Sequence, residues 1–70
     1  MPNTNSTDPF YIVFANGSRI LGAPGLGDVD LEIALEAARR VEAGSGVLAV
    51  RIIQGAVTIL EGDALRRALQ

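Results

Sequence analysis

Asn16-Gly17 divides the stretch FYIVFANGSRIL into two short apolar runs. Both residues accept the positive φ angles of a type I′ turn, so two antiparallel strands joined by a two-residue loop are predicted. That register sets Val13 opposite Ile20 and Ile12 opposite Leu21. Apolar groups then fall on both faces, and neither is marked as the solvent side. A chain that begins its ordered part this way builds on an antiparallel sheet.

The next long element is DVDLEIALEAARRVEAG. Leu31, Ala34, Leu35, Ala38 and Val41 recur at helical spacing and make its buried stripe. Asp28 or Asp30 is expected to cap the first turn, and Gly44 to end the helix in a left-handed conformation. Glu36 stands one turn before Arg39 and Arg40 and pairs with them on the wet side.

VLAVRIIQGAVTIL is rich in β-branched residues and reads as a second hairpin. A turn at Gln54-Gly55 puts Leu48, Val50, Ile52, Val57 and Ile59 on the core face. Arg51 and Thr58 then pair on the other face, beside Ala49 and Leu60. One long strand with a glycine bulge at Gly55 is the competing reading. The closing EGDALRRALQ is a short helix opened by Asp63, with Ala64, Leu65, Ala68 and Leu69 on one side. Residues 1–9 are polar and bounded by prolines, a tail expected to be mobile.

Residues 10–70 are therefore expected to form one small α+β domain of order ββαββ(α). A four-stranded antiparallel sheet is packed by one long helix. Two ββα units are suggested by the recurrence of a glycine turn and of Gly-Asp before each helix. This order is shared by many small bacterial and phage domains and is too general to carry a function.

GAPGLGD, residues 22–28, resembles a phosphate loop in its glycines only. Gly22 and Gly27 have the separation of a P-loop, but Asp28 and Val29 replace its lysine and hydroxyl. Asp28, Asp30 and Glu32 would repel a phosphate from this helix start. The spacing of a dinucleotide fingerprint is also wrong. The loop is read as a hinge, and no cofactor is expected. The three acids have the spacing that starts a calcium loop, yet neither its glycine turn nor its later glutamate follows. No metal is expected.

Composition narrows the chemistry further. The 70 residues include no cysteine, histidine or lysine, and all six cations are arginines. Disulfides, thiolates, imidazole bases and Schiff bases are thereby excluded. No pair of base and nucleophile can be named, so a non-enzymatic interaction or regulatory module is expected, an accessory or inhibitor protein for example. The net charge of -2 disfavours nucleic acid, although Arg39-Arg40, Arg66-Arg67, Tyr11 and Phe14 make it the alternative. No signal peptide or membrane span is visible, and a cytoplasmic protein is the expectation.

Self-association is expected as well. Chains this small are marginal without staples, and the sequence holds more apolar surface than one thin layer hides. Ile33 and Ala37 on the long helix, with Arg51, Ile53 and Leu60 on the second hairpin, are the interface candidates for a homodimer. The competing arrangement has the C-terminal helix cover this surface within one chain.

Overall fold

Strand and helix signals fall in the expected order. The computed structural model describes residues 8–25 and 27–70. Strands β1 (Phe10–Phe14) and β2 (Arg19–Ala23) lead into helix α1 (Asp28–Ser45). Strands β3 (Ala49–Gln54) and β4 (Val57–Glu61) follow, and helix α2 (Gly62–Leu69) closes the chain. The four strands form one antiparallel sheet in the order β2-β1-β3-β4. Each hairpin thus carries its own helix, and the two hairpins meet through β1 and β3.

The first turn differs from the expected one. Phe14 and Ser18 close a three-residue loop, with the Phe14 N–H donating to Ser18 O at 2.8 Å and the Gly17 N–H to Phe14 O at 2.9 Å. Gly17 takes the left-handed position at φ 89°, the arrangement of a type I turn followed by a glycine bulge. Asn16 Oδ1 accepts from the Ser18 N–H at 3.0 Å and from its hydroxyl. The extra loop residue moves the register by one, so Ile12 faces Ile20 and Val13 faces Arg19. This correction gathers Phe10, Ile12, Phe14 and Ile20 on one face of the sheet. A Cβ on Gly17 would meet nothing within 4 Å, so the penalty of Gly17→Val is backbone strain alone, about 1–2 kcal/mol. An unchanged melting temperature would argue against this turn.

The second hairpin keeps a two-residue loop but sets it one position later than expected. Its loop is Gly55-Ala56, since Gln54 pairs with Val57. Gly55 at φ 60° fills the first central position of the two-residue loop, where the primed hairpin turns require a positive φ that glutamine would resist. Register breaks at Val13/Phe14 and at Ile52/Ile53 insert Val50 into β3 and Ile59 into β4. Bulges of this kind re-aim the side chains around them. Ala49 and Ile52 are therefore buried together, while Leu48, Val50 and Val57 are exposed, contrary to the expected core face. Arg51 pairs with Glu61 rather than Thr58.

Helix α1 buries Ala34, Leu35 and Ala38 fully, flanked by Leu31 and Val41, as its periodicity demands. It runs past Gly44 and ends at Gly46, whose φ of 76° lets its N–H reach Glu42 O at 2.9 Å. Its N-cap is Gly27, not an aspartate. Glu36 holds Arg39 and Arg40 at 3.4 and 3.7 Å. Both helices lie on the same face of the sheet, where Leu65 of α2 joins Phe10, Ile12, Phe14, Ala49 and Ile52 in the core.

Two glycines, one within β2 and one just after it, serve packing. A Cβ on Gly22 would press on Ala34, and one on Gly25 would run into the Asp8 carbonyl. Gln54 Nε2 donates to the Asp8 and Gly25 carbonyl oxygens at 2.9 and 3.2 Å. Asp8 is thereby tied to the domain, and residues 1–7 of the expected tail lie outside the described residues.

Candidate functional site

Alternation along a strand sends neighbours to opposite faces. With Phe10, Ile12 and Phe14 turned to the helices, Tyr11 and Val13 point the other way. The pairings extend this across the sheet in two rows. One reads Leu21, Tyr11, Ile53 and Thr58 from β2 to β4, and the next Arg19, Val13, Arg51 and Glu61. Tyr11, Val13 and Ile53 are half-buried among their neighbours, and Leu21 is 59% exposed. Among the described residues no layer covers this face.

Two of its charges, Arg19 and Glu61, stand on the edge strands, and the third, Arg51, on the inner strand β3. The Arg19 guanidinium lies 5.9 Å from the centre of the Tyr11 ring, within cation–π range. Arg51 Nε approaches Glu61 Oε1 at 3.4 Å, both side chains being about half exposed or more. The result is an apolar row of Leu21, Tyr11 and Ile53 beside a charged row, in which a cation stands on the β2 edge and an acid on the β4 edge pairs with Arg51 of β3.

The five expected interface residues do not form one surface. Arg51 and Ile53 belong to the bare face. Leu60 sits on the helical side, partly buried against the core. Ile33 and Ala37 line a shallow depression of about 480 Å³ on the outside of α1, with Val29, Glu32, Glu36 and Arg40 around them. Because α2 packs on the helical side, it covers neither the bare face nor Ile33, which stays 48% exposed. Tyr11, Val13, Arg19 and Leu21 complete the bare face and are absent from the expected set. The corrected register of the first hairpin is the signal that finds them.

The arginine pairs are split by the fold, one member of each turning inward. Arg39 donates from Nε and Nη2 to the Leu69 and Ala68 carbonyls at 3.1 and 3.0 Å, closing the C-terminal end of α2. Arg66 donates to both carboxylate oxygens of Glu42 and, at 2.9 Å, to Ala49 O. The Ala49 N–H donates to Glu42 Oε2 at 2.7 Å. Helix α1, strand β3 and helix α2 are stitched at this point. The Arg66 hydrogen bonds hold the Glu42 carboxyl below its ordinary value of 4.5, with help from the Ala49 N–H and against the effect of burial.

Phe14, weighed for base stacking, is a core residue at 3% exposure. The Gly25 carbonyl of the glycine loop is occupied by Gln54. Among the described residues, no three acidic side chains gather where they would ligate a metal, and no helix is long and apolar enough to cross a membrane. No family model, curated protein or solved structure matches the chain.

Proposed function

We propose that this chain is a non-catalytic protein-interaction module that works through the bare face of its sheet. One observation carries the reading. Both helices pack on one side, yet the outward positions of β1 are apolar rather than polar. An antiparallel sheet with one solvated face normally alternates apolar-in and polar-out. A contiguous apolar patch with a polar rim marks a contact surface, and a rigid sheet presents it without loss of loop entropy. An accessory or inhibitory role suits such a surface.

Nucleic acid is the alternative, because Tyr11 stands near Arg19 and Arg51 lies in the next row of the same face. Protein is favoured, since Arg51 is engaged by Glu61 and the face offers a single aromatic ring. Stacking platforms use several rings within a basic groove.

Paired variants test the reading. The purified chain is immobilised and exposed to native lysate, and its captured proteins are compared with those of Tyr11→Thr/Ile53→Thr and of Ile33→Glu. Threonine keeps the strand propensity, so each change should alter stability by about 1 kcal/mol or less. Capture is expected to be lost in the sheet variant and kept in the helix variant. The opposite pattern, or micromolar oligonucleotide binding that weakens steeply with salt, would overturn it.

A further inference from the structure

Resting on that reading, we infer that the bare face is occupied by a second copy of this chain, docked sheet to sheet about a two-fold axis running along the strands. The charges select this arrangement. Arg19 and Glu61 stand at opposite ends of one row, on the two edge strands. A two-fold axis along the strands exchanges β2 with β4 and keeps each row over itself. Arg19 then meets the partner's Glu61, and Glu61 meets the partner's Arg19. Tyr11 lies over the partner's Ile53 and Ile53 over the partner's Tyr11, so two apolar contacts fill the centre. Arg51 lays its stem over the partner's Val13 while its head stays with Glu61. An axis across the strands would set Arg19 over Leu21 instead, taking a cation from water without an opposite charge.

Aligned sheets pack about 10 Å apart with their strands within about 30°. That rotation moves the corners by a few ångströms, within reach of an arginine side chain. Size agrees with a reversible dimer. Four strands about 4.8 Å apart and five residues long at about 3.4 Å each make a face about 19 by 17 Å. Two such faces bury at most on the order of 1,000 Å², the low end for specific contacts. Micromolar self-association follows, with the isologous symmetry of most homodimers.

Charge reversal tests the arrangement. Sedimentation equilibrium across micromolar to millimolar concentrations is run on the native chain, Arg19→Glu, Glu61→Arg and the double variant, with thermal melts to show that each is folded. Each single change is expected to weaken the dimer about tenfold, the effect of about 1.4 kcal/mol, and the double change, which still leaves Arg51 without its acid, to dimerise more tightly than either single variant. A double variant that dimerises no better than the single variants would overturn the two-fold arrangement. A 7.3 kDa species at every concentration would overturn self-association. In that case capture through Tyr11 and Ile53 still decides whether the face binds another protein.

Discussion

Replacing Leu65 with alanine is expected to lower the unfolding free energy by about 2–5 kcal/mol, the range for a leucine lost from a packed core. Leu65 is the buried residue of α2 and, with Ile12 and Ile52, one of the largest fully buried side chains among the described residues. The core around it includes several alanines, which cannot extend into the space it leaves. A domain of this length holds roughly 4–10 kcal/mol in total, so the loss approaches the whole. With about 4–8 °C per kcal/mol for a chain of this size, the melting temperature should fall by 10 °C or so at the least. Ala64→Ser, at an exposed position of the same helix, should change little. A Leu65→Ala melt within a degree or two of the native one would mean that α2 does not dock as described.

Glu42→Ala is expected to cost about 2–3 kcal/mol near neutral pH, because alanine leaves the Ala49 N–H without its acceptor and Arg66 with the Ala49 carbonyl but no carboxylate. The Glu42 side chain is only 16% exposed, and its carboxylate accepts from both Arg66 and the Ala49 N–H. Its loss is therefore worse than that of an exposed ion pair. The pH dependence has a definite sign. Because the folded Glu42 carboxyl titrates below 4.5, its stabilising effect is complete above that pH and is lost as pH falls through the lower folded value. Glu42→Gln keeps acceptor oxygen but not charge, so its deficit should be smaller and should shrink on acidification. Urea unfolding of both proteins from neutral to acidic pH measures this. A deficit that grows toward acid would contradict the assignment.

Much of this fold is legible in residue pattern, and the rest fails for identifiable reasons. The α1 stripe of Leu31, Ala34, Leu35, Ala38 and Val41 follows from helical period, and the two hairpins follow from glycine placement. Register does not, because Asn16-Gly17 suits both a two-residue and a three-residue loop. The choice rests on which face Ile20 must join. Bulges at Val50 and Ile59 are likewise set by the sheet as a whole; the first exchanges the expected faces of Leu48 and Ala49, and the second turns Leu60 toward the helices. Arg39 and Arg66 look like ordinary wet helix residues in a linear reading. Only the approach of α2 to α1 gives them carbonyl and carboxylate partners. The candidate surface is half visible in sequence for the same reason. Arg51 and Ile53 stand out in the second hairpin, while Tyr11, Val13, Arg19 and Leu21 emerge only once the register is known.

The bare sheet face as the working surface is tested most directly by amide chemical shifts followed on dilution from millimolar to micromolar concentration. Shifts are expected at Tyr11, Val13, Arg19, Leu21, Arg51 and Ile53, with Val29, Ile33 and Ala37 unmoved. Shifts confined to α1, or a spectrum independent of concentration together with undiminished capture by Tyr11→Thr/Ile53→Thr, would contradict it.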